Sequence, residues 1–440
     1  MKRFRINFFE YEIKGIRKNM SSKGKDCFTL VEFGTSKISV LFGGRDSGGA
    51  PSVFGFGSRD SAGSVVKGEI VDIKAAADAL GGALEDAENS AGGAFDRTRA
   101  FFLVSGKGIT SRQGEGSIMI YDAERKVTEK HVQEAIDKAL RISPAPDQMH
   151  LESFTSYFML DMNTRVKDPE GHSAERLDAF IHIILAARNR VETMRSVIHE
   201  FGFEKEIIPV FSGIASAYGV LTHDEKEQGT LLMDFGAGTL DYDFVQDEGV
   251  MLSGVLPIGF ENIVNDLAVG LELTQDQARK ILVENKLEEL IGRGEPFFQL
   301  PVSSNAVRNI PVGSIEKIFE LRVNEIFEII HQELTAKKLN FLMKGGAVLT
   351  GGGALSPMVR QCAENILRTH VRCGDPLKFS GVSTGLYNPR YAALLGVLNY
   401  VLQLETGTQA SLGLGKVADA LEGIGGFFSK LKDATRTWKI

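Results

Sequence analysis

The segments Val31–Ile38 (VEFGTSKI) and Met233–Asp241 (MDFGAGTLD) share one pattern, although about 200 residues separate them. In each, an apolar run ends in an acidic residue, a turn with glycine and threonine follows, and a second strand-like run resumes. Two such hairpins that face each other can hold phosphates from both sides, because glycine lets backbone N–H groups approach phosphate oxygens without a Cβ in the way. The internal repeat therefore predicts two similar lobes that grip a nucleotide between them.

The side chains at these turns also suit phosphate. Thr35, Ser36 and Thr239 can donate hydroxyl hydrogen bonds, and Lys37 can neutralise negative charge. The carboxylates at the strand ends suit Mg²⁺ bound through its waters, because Mg²⁺ keeps much of its hydration shell. The hairpins thus predict a Mg-nucleotide site without a directly liganded metal.

A third turn, Val348–Ala354 (VLTGGGA), follows a predicted buried strand and is suited to the close approach of an adenosine. A lone glycine–threonine turn is usually only a turn, and a lone glycine triplet is usually only a flexible loop. The three turns together, in this order and spacing, favour a nucleotide site. The sequence contains no Walker A motif, no metal-binding spacing among its His residues and no nucleophile elbow.

Composition narrows the class of protein. The chain has 440 residues, 43% of them hydrophobic and 24% charged, as in soluble globular proteins of more than one subdomain. The formal net charge of −7 argues against a nucleic-acid partner, since phosphate contacts need a basic surface. Cys27, Cys362 and Cys373 are too few and too widely spaced for a disulfide framework, and they fit reduced thiols in the cytosol.

Strands alternate with helices along most of the chain, which is typical of α/β architecture. Between Ser105 and Ala187 the pattern changes and predicts a small inserted α+β unit. Helices are predicted over Ile73–Ala91, Gln275–Asn285 and, with a strong amphipathic pattern, Ile315–Gln332. The predicted divisions are an N-terminal extension (1–26), a first segment of the first lobe (27–104), the inserted subdomain (105–187), a second segment of the first lobe (188–225), the second lobe (226–384), a helix closing the first lobe (385–404), a linker (405–426) and an amphipathic helix (427–440).

The N-terminal extension is basic and mixed with aromatic residues, without the continuous apolar core of a secretory signal. One hypothesis is that Met20 is the natural start and the first 19 residues are an artefact. Plain disorder and a short basic arm that touches a membrane are the other hypotheses. No run of 18 apolar residues in the sequence could span a bilayer.

The C-terminal segment carries its own physical signal. Phe427, Leu431, Ala434 and Trp438 recur at spacings of four, three and four, which places them on one helical face with Phe428 beside them. Positive charge comes from Lys430, Lys432, Arg436 and Lys439. A basic amphipathic helix with Phe and Trp on one side suits the surface of an anionic membrane. The alternative is a helix that packs on the protein's own core.

The three turns, in this order, resemble those of the ATPase superfamily of actin, sugar kinases and heat-shock chaperones. Within it the chain resembles the FtsA family over nearly its whole length from Phe28, and the inserted unit lies where that family has its own inserted subdomain. The resemblance is carried by Glu32–Lys37, Val104–Lys107, Phe211–Leu221, Asp234–Asp241, Pro257–Gly259, Val348–Gly353 and Val371–Leu377. It implies a two-lobed actin-like ATPase fold with an inserted α+β subdomain and a C-terminal amphipathic helix.

The resemblance also implies site residues. Phosphates of ATP would be held by Gly34, Thr35, Ser36, Lys37, Gly236, Ala237, Gly238 and Thr239. Asp234 would organise Mg²⁺ or a water, and the adenosine would be flanked by Gly351, Gly352 and Gly353. Hydrolysis would be slow or incidental.

The family's partners are implied in the same way. The C-terminal tail of the ring protein FtsZ would bind near Arg322, although a solvated surface arginine is the alternative. The protein would sit on the cytoplasmic face of the membrane at the division site, associate into filaments and recruit other division proteins.

Some positions depart from the family pattern. Where members usually have a Glu and a Lys that touch ribose and adenine, this chain has Arg279 and Leu282, which puts nucleotide affinity and base preference in question. The inserted unit also lacks the family's usual proline near Glu152–Tyr157. Two alternatives remain open: a pilus-assembly relative with the same inserted subdomain, and a small-molecule kinase of the same superfamily.

Overall fold

The computed structural model describes residues 27–121, 125–284, 287–303, 306–381 and 384–406. The predicted N-terminal extension, most of the predicted linker and the predicted amphipathic helix at 427–440 lie outside these residues.

The N-terminal half of the chain forms one lobe and the inserted unit. Before the inserted unit come β1 (Cys27–Phe33), β2 (Lys37–Arg45), β3 (Pro51–Asp60), β4 (Val65–Val66), β5 (Glu69–Ile70), α1 (Ile73–Ala91) and β6 (Arg99–Val104). The inserted unit consists of β7 (Thr110–Met119), α2 (Glu129–Ala139), β8 (Gln148–Leu160), β9 (Thr164–Val166) and β10 (Arg176–Ala187). The lobe resumes with α3 (Arg188–His199), β11 (Glu206–Phe211), α4 (Ser212–Val220) and α5 (His223–Gln228).

The second lobe follows, and the chain then returns to the first. The second lobe contains β12 (Thr230–Phe235), β13 (Leu240–Gln246), β14 (Gly249–Leu256), α6 (Phe260–Gly270), α7 (Gln275–Arg279), α8 (Leu287–Gly292), β15 (Phe297–Ser303), β16 (Ala306–Pro311), α9 (Val312–Ala336), β17 (Ala347–Thr350), α10 (Pro357–Leu367) and β18 (Val371–Cys373). A 3₁₀ turn at Pro389–Tyr391 leads into α11 (Ala392–Thr406), which packs on the first lobe.

The two lobes contain sheets of the same topology. The first is ordered β3-β2-β1-β6-β11 and the second β14-β13-β12-β17-β18. In each, the central strand (β1 or β12) pairs antiparallel with its hairpin partner and parallel with the strand on its other side. The prediction of a two-lobed α/β fold from the internal repeat is confirmed, while the predicted domain boundaries stay predictions.

Sequence patterns account for the elements that bear on the cleft. β1 is apolar almost throughout because both faces of its sheet are covered. α1 begins at Asp72, whose side chain accepts a hydrogen bond from the backbone N–H of Ala75, and ends at Gly92 in the left-handed region. The helix predicted over Gln275–Asn285 is instead an α-helix to Arg279 followed by a π-helical turn, Lys280–Glu284.

The inserted unit touches both lobes. Its sheet is ordered β7-β10-β8-β9 and is covered by α2. Across to β14 of the second lobe, Ser156 Oγ donates to the backbone oxygen of Val250 at 2.7 Å, and Ser111 Oγ donates to that of Ser253 at 2.7 Å. Lys167 forms ion pairs with Glu227 of α5 and with Glu248, which precedes β14 of the second lobe. The unit therefore bridges the lobes. Among the described residues, no helix is both long and apolar enough to cross a bilayer.

Helices α4 and α11 approach each other at two glycines. A Cβ on Gly396 would lie 1.8 Å from the backbone oxygen of Ala215, and a Cβ on Gly219 would lie 2.3 Å from that of Ala392. Side chains at these positions would force the helices apart. Since α4 directly follows β11 of the first sheet, this contact fixes α11 to the first lobe.

We expect Gly396→Ala to lower the midpoint of urea unfolding, because overpacking a close contact costs about 1–3 kcal/mol. Gly313→Ala is the matched control: this residue also lies in a helix, but nothing lies within 4 Å of an added Cβ. There the better helix propensity of alanine should leave stability unchanged or raised by up to about 1 kcal/mol. Equal midpoints for the two variants would contradict the packing argument.

Candidate functional site

A cleft of about 850 Å³ separates the two lobes. Both hairpin turns line it, together with the glycine triplet after β17. The structure thus brings together all the predicted phosphate- and adenosine-site residues, Gly34, Thr35, Ser36, Lys37, Gly236, Ala237, Gly238, Thr239, Gly351, Gly352 and Gly353, along with Asp234.

The two hairpin turns have the same geometry and meet across the cleft. The N–H of Gly34 donates to the backbone oxygen of Lys37 at 2.9 Å, and the N–H of Gly236 donates to that of Thr239 at 2.9 Å. A Cβ on Gly238 would lie 2.2 Å from Thr35 Oγ1. Only a glycine at position 238 allows the second hairpin to lie this close to the first.

Lys37 is the cation of the first hairpin. Its Nζ lies 3.4 Å from the centroid of the Tyr391 ring and 3.4 Å from the backbone oxygen of Arg390. Burial lowers the pKa of Lys37, and the neighbouring Glu32 opposes that shift. An incoming anion would restore the interactions that this ammonium group has lost with water.

Two carboxylates lie directly opposite each other on β12 and β13. Asp234 pairs with Asp241 in the strand register. Asp234 Oδ2 accepts a hydrogen bond from Ser216 Oγ at 2.5 Å, and Asp241 Oδ1 accepts one from Ser105 Oγ at 2.5 Å. Burial raises the pKa of Asp234 to about 6, and it raises the pKa of Asp241 well above its usual value. Both groups are poised to gain from a nearby cation.

Glu32 is the last residue but one of β1, as Asp234 is of β12. Its Oε2 atom is buried without a hydrogen-bond partner, and burial raises its pKa. An unpartnered buried acceptor near Asp234 fits the waters of a hydrated Mg²⁺ ion, since oxygen acceptors suit this hard cation. The donor set therefore fits the metal predicted from the sequence.

The glycine triplet approaches the same strand end. Gly351 has φ of +80°, and a Cβ there would lie 2.3 Å from Asp234 Oδ1. A Cβ on Gly353 would lie 2.7 Å from the ring of Phe235. Gly351 is required by its left-handed backbone conformation and by the lack of space, and Gly353 is required by the lack of space.

The two departures from the family pattern also line the cleft. Arg279 forms a bidentate ion pair with Glu261, and Leu282 is buried. Glu288, another lining residue, accepts a hydrogen bond from Ser356 Oγ at 2.5 Å. A carboxylate from α8 is therefore present in this part of the cleft.

Several site residues were missed from the sequence. The turn between β4 and β5 lies against the first hairpin, with the N–H of Lys67 donating to Thr35 Oγ1 at 3.1 Å and Gly68 lining the cleft. Lys67 has φ of +50°. A short valine–lysine–glycine turn is the only signal of this contact in the sequence, and a turn signal does not tell which distant loop it touches. Ser105 and Ser216 fall in stretches that carry the family resemblance, but nothing in them pointed to carboxylates.

Arg322 does not line the cleft. It lies on α9, where its Nε atom is 2.5 Å from Asp266 Oδ2 and its Nη1 atom is 2.6 Å from Glu325 Oε2. The guanidinium thus joins α9 to α6, and it is about one quarter exposed. The membrane-site residues Phe427, Phe428, Lys430, Leu431, Lys432, Arg436 and Trp438 lie outside the described residues.

Solved structures share this fold. The type IV pilus complex of PilM and PilN matches 85% of this chain and 98% of that chain at 15% identity, with a TM-score of 0.58. MreB5 of Spiroplasma citri bound to AMPPNP matches 89% of this chain and all of that chain at 12% identity, with a TM-score of 0.51. These likenesses confirm the actin-like ATPase fold.

Sequence comparison identifies the family. The family described as "SHS2 domain inserted in FTSA" matches residues 106–185, and the one described as "Cell division protein FtsA" matches residues 231–396. The cell division protein FtsA of Neisseria meningitidis is 30% identical, with 92% of this chain and 96% of that protein covered. That of Pseudomonas aeruginosa is 30% identical, with 86% and 89% covered. The chain therefore belongs to the FtsA family of cell-division proteins.

Proposed function

We propose that this protein binds one Mg-ATP between its lobes and, associated into filaments on the cytoplasmic face of the membrane, links the FtsZ ring to that membrane and recruits later division proteins. The observation that carries the proposal is the pair of matching hairpin turns facing each other across the cleft, each closed by the same 2.9 Å backbone hydrogen bond. Membership of a cell-division family supports the cellular role.

The charges of the cleft suggest how the nucleotide lies. Its phosphates would receive backbone N–H groups from both turns and the ammonium of Lys37, which the Tyr391 ring holds in place. A bound Mg²⁺ would neutralise phosphate charge, and Glu32 and Asp234 would orient its waters. Leu282 and Glu288 offer an apolar surface and a carboxylate that suit a nucleoside. Ser216 would position Asp234 through its hydrogen bond to Oδ2.

The first test is nucleotide binding. We expect Lys37→Ala to weaken binding of a fluorescent ATP analogue about tenfold to a hundredfold, because a hydrogen bond to a charged group contributes about 1.5–3 kcal/mol. Gly238→Val should abolish binding, since its side chain would fill the space between the hairpins. Lys205→Ala, the same change at an exposed position, is the control and should bind as wild type. No binding by the wild-type protein at millimolar nucleotide would sink the proposal.

Binding of the FtsZ tail is proposed at the junction of α6 and α9. Arg322 is held there by Asp266 and Glu325, so an acidic peptide would compete for a guanidinium that is already in position. Two exposed apolar side chains lie on the same two helices: Leu321, next to Arg322 in the sequence, is 57% exposed, and Val269, three residues after Asp266, is 73% exposed. A guanidinium and exposed apolar side chains on neighbouring helices suit a mixed acidic and apolar peptide.

Substitutions of the two partners should act in opposite directions. Arg322→Ala should weaken binding of a labelled FtsZ C-terminal peptide by about 1–3 kcal/mol. Asp266→Asn should strengthen it, because the guanidinium loses a competing carboxylate. Lys317→Ala, an exposed change on the same helix, serves as the control in fluorescence anisotropy. If Arg322→Ala and Lys317→Ala bind the peptide equally well, the assignment is wrong.

Membrane attachment is proposed through the C-terminal segment. Burial of each large apolar side chain contributes roughly 1.5–3 kcal/mol, and each cation near acidic lipid adds on the order of 1 kcal/mol. Ordering the helix offsets much of this, so one segment should bind weakly. Several segments on a filament would bind far more tightly through effective concentration.

Vesicle co-sedimentation tests the attachment. Deletion of residues 427–440 should abolish pelleting with anionic vesicles, and Trp438→Glu should nearly do so, because a charge replaces the largest apolar side chain. Trp438→Phe is the matched control and should retain most of the binding. Equal pelleting of the full-length and truncated proteins would show that the anchor lies elsewhere.

Self-association is proposed through the inserted unit. At one end of its sheet Met119, Tyr121 and Met162 are exposed by 49%, 88% and 62%. Large apolar side chains exposed together at the end of a sheet suit contact with a second copy of the chain.

A further inference from the structure

Glu152 is buried where three regions of the molecule meet. It lies on β8 of the inserted unit and is 4% exposed. Its Oε2 atom accepts a hydrogen bond from the backbone N–H of Phe211, the last residue of β11, at 3.1 Å. Its Oε1 atom accepts one from the hydroxyl of Tyr400 on α11 at 2.9 Å. One carboxyl group thus joins the inserted unit to the first sheet and to the closing helix.

Helix α4, which begins directly after Phe211, connects this junction to the cleft. Ser216 of α4 donates to Asp234 at 2.5 Å, and Tyr218 of α4 lies with its ring centroid 4.8 Å from that of Tyr400. The glycine contacts described above hold α4 against α11. A displacement of α4 at the cleft would therefore change the contacts of Glu152, and the reverse also holds.

The charged and titratable groups around Glu152 come from each element packed on it. They are Tyr400 of α11, Tyr218 of α4 and Asp243 of β13, with Glu248 and Lys226 near the Tyr218 ring. Burial raises the pKa of Glu152 to about 8, the hydrogen bonds from Tyr400 and Phe211 lower it, and Asp243 raises it further. The surroundings therefore offer Glu152 little compensation for a negative charge.

We propose that Glu152 is a positioning residue that couples nucleotide binding in the cleft to the position of the inserted unit. The strength of this coupling depends on whether the carboxyl group of Glu152 is charged. The inference rests on the nucleotide binding proposed above. An ionised Glu152 places a negative charge beside Phe211 at the N-terminal end of α4, and the first residue of that helix, Ser212, lines the cleft. The anionic nucleotide therefore favours the uncharged form of Glu152.

Glu152→Gln removes the charge of residue 152 while nearly keeping the shape of its side chain. The glutamine keeps an oxygen for the Phe211 N–H and offers an amide donor to the Tyr400 hydroxyl, but it is uncharged at every pH. The dissociation constant of a fluorescent ATP analogue is measured between pH 6.5 and 9 for wild type, Glu152→Gln and the control Glu115→Gln, which changes an exposed glutamate of the same unit. Circular dichroism verifies that each protein is folded.

The affinity of the wild-type protein for the nucleotide analogue is expected to fall as the pH rises. Because the pKa of Glu152 is raised, the uncharged form prevails below about pH 8 and is lost above it. Wild-type affinity should therefore fall relative to that of Glu152→Gln as the pH rises through this value, by about fivefold, a typical coupling between sites. Glu115→Gln should follow wild type. Tyr400→Phe should move the midpoint to higher pH, because the charged form loses a donor.

Other outcomes separate the two proposals. If wild type binds nucleotide and its affinity stays in a constant ratio to that of Glu152→Gln from pH 6.5 to 9, Glu152 is only structural and the inference is overturned. If neither protein binds nucleotide at any pH, the proposed nucleotide binding fails and the inference fails with it.

Discussion

The approach of the two hairpin turns, with Gly238 against Thr35, is the contact on which the rest of the structure depends. No side chain fits between them, since a Cβ on Gly238 would lie 2.2 Å from Thr35 Oγ1 and 3.1 Å from the N–H of Lys67. Two sheets of identical strand order place the turns at equivalent ends, so that one phosphate group can receive N–H donors from both lobes. The cleft is therefore a consequence of the repeated topology and not of a separate pocket-forming element.

Capping residues and apolar periodicity within a single element correctly predicted several helices and strands. The helix expected over Ile73–Ala91 has those bounds in the structure, because its N-cap and C-cap residues are both unambiguous. The hairpin of β1 and β2 and the long amphipathic helix were also predicted correctly, since their apolar periods are strong. The phosphate turns could be found because glycine, threonine and an acidic residue repeat at the same spacing in both halves.

Other features were hard to predict from the sequence because they depend on packing between segments that are distant along the chain. β3 carries Gly55 and Gly57, which weaken a strand pattern, yet these glycines let α1 lie directly on the sheet: added Cβ atoms would sit 2.4 and 2.0 Å from backbone oxygens of that helix. β7, which the sequence predicts only from Gly116 onward, packs against α2 in the same way through Gly114 and Gly116. A glycine that permits close packing looks the same in a sequence as one that makes a turn. The pairing of Asp234 with Ser216 was hidden for a related reason, since only the tertiary fold brings α4 to the end of β12.

Because of the buried carboxylates, we expect nucleotide binding to raise the stability of the folded protein. Asp234 and Asp241 lie opposite each other, and Glu32 has an unpartnered buried oxygen, so the cleft contains three carboxyl groups whose burial the protein compensates only in part. Such an arrangement lowers the stability of the folded state unless a cation is near. A ligand that brings Mg²⁺ stabilises the native state by the binding free energy it gains there. The proposed Mg-nucleotide would thus stabilise the same polar groups that are costly to bury, as expected where a fold departs from the most stable packing at a functional site.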